Sequence, residues 1–455
     1  MPTVIRLEEA RLAYEQYRYR TPIKFGGVAF DRATILNVWL RVRDHAGRTM
    51  VGFGSMPLGN VWAFPSRQLD YDQTLAIMQR LAERFRDEIP RLGEFGHPVE
   101  LGVLLEERFF HVAQQLQRNL RLAEPIPKLA VLVVGSAFDA AVHDAYGKLL
   151  NRSIYTCYGP EHLPGDLSRW LGQDFRGETL PRYVSPEPKP TLPLYHLVGA
   201  LDPLEPADVT QPVGDGLPET LVDWIQYNGL THLKIKLNGD DLSWDVERVV
   251  RVDRLATEVQ ARRGVSQWCY SLDFNERCGS VDYLLEFLYQ LQSRSPQAWQ
   301  RVQYIEQPTH RDLKTAGHLD LHAASRLKPI VADEALTDLE SLYLARDLGY
   351  TGVALKACKG QTQSLLIAAA AQKLGMFLCV QDLTCPGASL IQSAGLAAHI
   401  PPVAAIEANA RQYMPQANRG WEDRVPAIFR ITDGLMYTGC LTGPGLGAVP
   451  PDTEP

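Results

Sequence analysis

The sequence has no Cys-x-x-Cys pair, and its seven cysteines (Cys157, Cys269, Cys278, Cys358, Cys379, Cys385 and Cys440) are odd in number and scattered. That argues against a thiol-ligated zinc site and against a disulfide frame, and leaves reduced, mostly buried thiols. No apolar run approaches the roughly 20 residues of a membrane-spanning helix. The opening stretch reads as a strand and carries Glu8 and Glu9 where a signal peptide would need an apolar core, so a cytoplasmic location is expected. Positive charge is in short supply: 46 Lys and Arg against 53 Asp and Glu give a formal net charge of −7. With no basic patch interleaved with aromatics, neither nucleic acid nor an anionic membrane is expected as a partner. No Gly-x-Gly-x-x-Gly follows a predicted strand, which leaves a dinucleotide-binding reading unsupported.

What is present is an ordinary globular composition, 45% hydrophobic and 22% charged, in a chain of 455 residues. That length exceeds one ordinary core, so two domains are expected. Residues 1 to about 60 alternate as strands. Ile35–Arg43 is the clearest, followed by a turn at Asp44-His-Ala-Gly47 and a strand at Thr49–Gly54. Helices are predicted at Asp72–Glu88 and Val134–Leu150, the second with a small-residue face of Ala137, Ala140, Ala141 and Ala145. Strands followed by helices make an α+β domain. The proline-rich stretch Pro181–Pro193 reads as the connector between this domain and the remainder of the chain.

From about Thr191 the rhythm becomes strand, helix, strand, helix. Predicted strands are Leu194–Val198, Thr231–Lys236, Tyr270–Asp273, Val302–Glu306, Pro329–Asp333, Gly352–Lys356, Met376–Gln381 and Val403–Glu407. Eight such units over this length fit an α/β fold of the (β/α)8 barrel type better than a doubly wound sheet. The domain plan is therefore 1–190 as an α+β unit, 191–415 as the barrel and 416–455 as a return segment packing on the first domain.

Three consecutive predicted strands end in acids: Asp273, Glu306 and Asp333, spaced at 33 and 27 residues, one βα unit each. Barrels build their sites at strand C-terminal ends. Three oxygen ligands converging there suit one hard divalent cation, Mg2+ with Mn2+ as the alternative, whereas a lone strand-end acid is more often a cap or an ion-pair partner. Asn275 points the same way as Asp273 and is expected behind it, while Glu334 alternates away. Lys234 and Lys236 share one side of the second strand, and Lys356 ends the sixth. Strands 2 and 6 of an eight-membered ring lie opposite each other, so a substrate between them would present one face to Lys236 and the other to Lys356. That arrangement suits removal of a proton beside a carboxylate and its return on the opposite face. A neighbouring ammonium, burial and the cation's charge are expected to depress the lysine pKa toward neutrality.

The motifs Lys234-Ile-Lys236, Asp273-Phe-Asn275, Glu306-Gln307-Pro308, Ala332-Asp333-Glu334 and Lys356-Ala-Cys-Lys359-Gly360 together resemble the enolase superfamily. Within it the chain looks most like the muconate lactonising enzyme branch, with its dipeptide epimerases and o-succinylbenzoate synthases. The helix around Ala137-Phe-Asp139 to Asp144-Ala-Tyr-Gly147-Lys148 is similar to the one that precedes the family's barrel, and the resemblance covers most of residues 1–440. It implies an N-terminal capping domain over the barrel mouth, with loops near Tyr19–Ala29 and Gly52–Phe64 shaping the pocket and Lys24, Phe25 and Trp62 as lid residues. It implies Asp273, Glu306 and Asp333 as Mg2+ ligands, Lys236 and Lys356 as acid/base residues, and Lys234 as a helper near the substrate carboxylate. The implied activity is that of an isomerase, a racemase or epimerase acting through a metal-stabilised enediolate on a small carboxylic acid or amino-acid derivative. A cycloisomerase or eliminating lyase is the alternative on the same scaffold, and the protein is expected to be a homo-oligomer.

The sequence departs from the family in places. Strand 6 offers Lys356 and strand 7 ends in Gln381-Asp382, unlike the Asp and His of mandelate racemases. The expected double glycine is Gly360-Gln361, and Asp382-Leu-Thr384-Cys385-Pro386-Gly387 is not the usual strand-7 loop. Glu407-Ala-Asn409 only partly matches the strand-8 Asp-x-Asp with which dipeptide epimerases hold an ammonium, and Pro160–Pro190 is longer than the norm. Two other classes compete. A Schiff-base lyase would leave three strand-end acids without a common purpose, and a non-catalytic barrel would be signalled by a missing acid, of which there is none.

Overall fold

Strand pairing in the computed structural model, which describes residues 3–314 and 319–447, divides the chain into two sheets. The first is antiparallel: β1 (Ile5–Phe25), β2 (Val28–Asp44) and β3 (Thr49–Pro57) in sequence order. The β1–β2 turn is Gly26-Gly27, with φ of 52° and 91°. A two-residue turn with positive φ at both positions is the form that matches the strands' own twist, and glycine takes it without steric cost.

Three helices cover this sheet: α1 (Tyr71–Glu88), α2 (Pro98–Leu120) and α3 (Lys128–Leu149). The first begins at a reciprocal cap in which Asp70 accepts from Gln73 N–H and Gln73 accepts from Asp70 N–H. The helix α2 has no counterpart among the predicted elements, although Pro98 at its first position and the apolar series Leu101, Leu105, Phe109, Val112 and Leu116 mark it. The helix α3 starts six residues earlier than expected. Leu129–Val134 is apolar all round, so it carries no stripe from which to read a start, and it is buried on every side. Its Ala137, Ala141 and Ala145 face lies on β3, where Gly52 and Gly54 leave the needed space. A Cβ at Gly52 would stand 2.0 Å from Ala141 O, and one at Gly54 1.9 Å from Ala137 O.

The second sheet is a closed parallel barrel of β4 (Thr191–Val198), β5 (His232–Lys236), β6 (Cys269–Asp273), β7 (Val302–Glu306), β8 (Ile330–Ala332), β9 (Gly352–Lys356), β10 (Phe377–Gln381) and β11 (Val403–Glu407). Each strand pairs with the next, and β11 pairs with β4 to close the ring. The predicted strands lie within about three residues of these bounds. Around the barrel run α4 (Leu221–Asn228), α5 (Leu242–Arg263), α6 (Val281–Arg294), α7 (Leu339–Asp347), α8 (Gln361–Lys373) and α9 (Gly387–His399). A short strand, β12 (Leu435–Tyr437), then runs antiparallel to β4.

The stretch Pro181–Pro193 is fastened to the barrel rather than free. Tyr183 and Val184 are buried, Ser185 N–H donates to His399 O at 2.8 Å, and Lys189 N–H donates to Ala398 O at 3.0 Å. The return segment touches both units: β12 lies on the barrel, while Leu446 N–H donates to Asp144 Oδ1 of α3 at 3.0 Å. Positions 448–455 of that segment lie outside the described residues.

Candidate active site

Alternation along the strands stacks two layers inside the barrel. Tyr195, Tyr304, Val331, Ala354, Cys379 and Ala405 form an apolar cluster. Two residues further along their strands stand Glu306, Asp333, Lys356, Gln381 and Glu407, joined by Lys236 and Asp273 from β5 and the end of β6. The strands thus deliver buried charge to one end of the barrel and apolar bulk just beneath it.

Lysines tie the acids together. The Lys234 ammonium, 2% exposed, lies 3.1 Å from Asp273 Oδ2, 2.8 Å from Glu306 Oε1 and 3.0 Å from Glu407 Oε2. Lys236 Nζ donates to Asp273 Oδ2 at 2.5 Å. Across the ring Lys356 Nζ stands 2.7 Å from Asp333 Oδ2, and Lys359 Nζ donates to Asp333 O at 2.5 Å. Asn275 sits where the alternation puts it, its N–H and Nδ2 donating to Asp273 Oδ1 at 2.8 and 2.9 Å. Two glutamines without a predicted role also belong here. Gln381 Nε2 donates to Glu306 Oε2 at 2.5 Å, and Gln307 Oε1 accepts the backbone N–H of Asp333 at 2.9 Å. Their signal in the sequence is their position, at or just after a strand end.

Burial and charge set the protonation states. Burial opposes the Lys356 ammonium, but Asp333 overrides it and holds that pKa above the ordinary lysine range. Glu306 and Glu407 do the same for Lys234 against its burial. The expected depression is therefore absent at both positions, where carboxylates lie within 3.1 Å of each ammonium, whereas burial lowers the neighbouring Lys359. Burial would raise Asp273 and Asp333, but their lysines hold both below the usual carboxylate range. Glu306 goes the other way, raised well above that range by burial and by the Asp273 charge.

The wall over β9 comes from the capping domain. The Trp62 ring centroid lies 4.4 Å from Lys356 Nζ, its indole N–H donates to Glu334 Oε1 at 2.9 Å, and its carbonyl accepts from Arg311 Nη1 at 2.9 Å. Glu334 points away from the acid triad, its other carboxylate oxygen is buried without a partner among the described residues, and burial with the Asp333 charge raises it to about 8. On the opposite side the β1 tip brings the Phe25 ring to 5.7 Å from Lys236 Nζ, and Lys24 Nζ donates to Asn238 Oδ1 at 3.1 Å. The unusual loop after β10 receives the cap: Leu383 fills the space that a Cβ at Gly59 would take, and Cys385 Sγ lies 3.7 Å from Met56 Sδ.

Asp382 and Asn409 form a separate acceptor cluster with Glu407. Asp382 accepts the N–H groups of Asn409 at 2.9 Å, Cys385 at 3.1 Å and Thr384 at 3.2 Å, and burial and Glu407 raise it to about 7. Asn409 Nδ2 donates to Glu407 Oε1 at 2.5 Å, and its own Oδ1 is buried without a partner among the described residues. Four non-glycine residues with left-handed backbone lie at this end of the barrel: Asn275, Glu276, Gln307 and Thr384. Such strain concentrates where side chains must be aimed at a ligand.

Among the described residues, no three His, Cys, Asp or Glu side chains are drawn together as a preformed metal cage, and ammonium groups lie between the acids instead. The donor chemistry nevertheless fits a hard cation. Asp273, Glu306 and Asp333 are buried oxygen donors at adjacent strand ends, the donor type a hard divalent cation takes.

The family model for the enolase C-terminal domain-like proteins matches residues 217–453, just over half of the chain. No protein of curated function matches the sequence. Among solved structures, the fold is similar to that of a dipeptide epimerase from Enterococcus faecalis V583 complexed with Mg and the dipeptide L-Leu-L-Tyr (TM-score 0.64, 16% identity, 97% of this chain and 99% of that one). It is also similar to a dipeptide epimerase from Cytophaga hutchinsonii complexed with Mg and D-Ala-L-Val (0.65, 16%, 98% and 97%). A third is a muconate lactonizing enzyme from Pseudomonas fluorescens complexed with muconolactone (0.62, 15%, 98% and 97%). At these identities the likeness is one of fold.

Proposed function

The chain belongs to the enolase superfamily, and on that premise we propose that it removes the proton alpha to a carboxylate and returns it to the opposite face, as a racemase or epimerase of an amino-acid derivative. The observation that carries this reading is the placement of Lys236 and Lys356. They end β5 and β9, four places apart in an eight-strand ring, so they stand across the mouth from each other. One lysine must be neutral to take the proton while the other is charged to give one. Lys356, held as an ammonium by Asp333, is ready to give, and Lys236 is the base for the opposite antipode. Exchange of roles then runs the reaction in reverse.

Asp273, Glu306 and Asp333 are the residues that would hold a divalent cation, Mg2+ by the example of the epimerase structures. When bound, it supplies the positive charge that makes a carbon acid beside a carboxylate acidic enough to ionise. Lys234 keeps its own positive charge between Asp273, Glu306 and Glu407, where it can meet a substrate carboxylate. The Asp382, Glu407 and Asn409 cluster has acceptor capacity to spare: among the described residues Asp382 has no ion pair and Asn409 Oδ1 has no partner. A substrate ammonium would satisfy it, which is the reason for favouring an amino-acid derivative.

A second reading has one observation in its favour. The Asp333 contact that holds Lys356 protonated also suits it to steady negative charge without moving a proton, as a cycloisomerase or syn-eliminating lyase would require. The test is deuterium uptake at the alpha carbon. A panel of amino-acid derivatives and dipeptides is incubated in D2O with Mg2+ and analysed by mass spectrometry and chiral chromatography. Uptake with inversion is expected. Uptake or loss of substrate without inversion favours the second reading, and no uptake by any member overturns both.

A further inference from the structure

We propose that the seam between α2, α3 and the β9–α8 turn is a second ligand site, which takes a small primary amine carrying an apolar chain. It lies outside the barrel mouth and does not rest on the reaction proposed above. A hollow of about 340 Å3, open to solvent, lies there between Leu105 and Glu106 of α2, Val131 and Leu132 of α3, and Lys359 and Gly360 of the turn. A mostly apolar wall of that size with a few polar groups is the form of a small-molecule site.

The hollow is built by the way the helices meet. Gly102, Glu106 and Phe109 recur at helical spacing on α2, so one face of that helix forms a wall. Gly102 permits its approach to the barrel, since a Cβ there would stand 2.1 Å from Thr362 Oγ1 and 2.6 Å from Asp139 Oδ1. Gly135 of α3 does the same for the two helices, because its Cβ would stand 3.0 Å from Phe109 Cδ2. The inner end is the turn that carries Lys359, whose Nζ donates to Asp333 O at 2.5 Å, so an occupant would sit behind the acid cluster without entering the mouth.

Charge selects the occupant. Glu106 is half-buried and has neither a hydrogen bond nor an ion pair among the described residues. Burial, then the Asp139 and Asp338 charges, push its acid up to about 8. Lys128 would counter them, but Asp338 engages it at 2.5 Å. Asp139 stays a carboxylate: burial would raise it, but His143 and the Thr362 N–H and hydroxyl, each at 2.8 Å, hold it below the usual range. Lys359 is spent on Asp333, so the hollow lacks one positive charge. An ammonium supplies that charge with three N–H donors, and an alkyl chain covers Leu105, Val131 and Leu132. A bare metal ion would leave the walls uncovered, and a neutral hydrocarbon would leave Glu106 unpaired.

Calorimetric titration of the Mg2+-loaded protein with n-pentylamine tests the site, at roughly pH 8.5, above the Glu106 pKa and below that of an alkylammonium. Pentylammonium is expected to bind at least about tenfold more tightly than 1-pentanol, which has the chain without the charge. It should also bind at least about tenfold more tightly than methylammonium, which has the charge without the chain. Glu106→Gln should bring pentylammonium and pentanol to within roughly threefold of each other. The mouth has acids of its own in Asp382 and Glu407, so Glu407→Gln is the control for place and should change pentylammonium affinity by less than about threefold. No binding of pentylammonium, equal affinities for it and either comparison compound, or a preference that Glu106→Gln leaves intact overturns the site. So does binding that Glu407→Gln abolishes, which would put the amine in the mouth instead.

Discussion

The lower and upper layers of the barrel interior are made by the same strands, two residues apart, and could hardly differ more. Below, Tyr304, Val331, Ala354, Cys379 and Ala405 pack as an apolar plug. Above, Glu306, Asp333, Lys356, Gln381 and Glu407 are equally buried, yet each is ionic or amide and held by partners from other strands. Burying apolar surface stabilises a fold outright, whereas burying charge pairs roughly breaks even against desolvation. Stability therefore resides in one layer and chemistry in the next, and the contrast can be broken at either.

The largest effect is expected in the upper layer. Lys236→Ala and Lys356→Ala should each abolish inversion, a loss of at least ~10²–10⁴-fold, while each variant still exchanges the alpha proton of one antipode. Chiral analysis of deuterium uptake reads this directly, and full turnover by both variants would place the chemistry elsewhere. A smaller effect concerns the buried acid behind the upper layer. Glu334 has a folded pKa raised to about 8, so its protonated form favours the fold at low pH, and that stability is lost as pH rises from the ordinary carboxylate range toward 8. Glu334→Gln keeps an acceptor for the Trp62 indole and should raise the melting temperature at pH 8 but not at pH 4.5. The slope it removes is at most roughly 1.4 kcal/mol per pH unit, measurable by denaturant titration across that window. The smallest effect belongs to the plug: Val331→Ala should cost roughly 2 kcal/mol of stability through lost burial and a cavity. It should leave the choice of substrate antipode unchanged, and a changed choice would mean that the layers are not separate.

The sequence discloses the layers unequally. Strand ends are legible because each combines a short β-branched or aromatic run with an abrupt acid or lysine, as in Val302–Glu306 and Gly352–Lys356, and both runs match their strands residue for residue. Which acid a lysine pairs with is not legible. Lys234 reaches Glu407, 173 residues away, only because the ring closes between β11 and β4. At Lys234 and Lys356 the expected depression is absent for the same reason: sequence neighbours supplied an ammonium, and the closed ring supplied nearer carboxylates. Glycine pairing across the cap is another long-range fact. Ala137 and Ala141 announce a close contact, but nothing local says that Gly52 and Gly54 are its other half.

The bond from Leu446 to Asp144 bears on how this protein is made. Asp144 is fully buried in the capping domain and holds Phe53 N–H from within that domain, yet its other oxygen accepts from a residue 302 positions later. At roughly 5–20 residues per second, a ribosome needs on the order of 15–60 s to travel that distance. The first domain to emerge thus waits through the synthesis of the entire barrel for its last internal contact. The nascent cap is a provisional structure, and its completion is timed by the arrival of the return segment rather than by its own sequence.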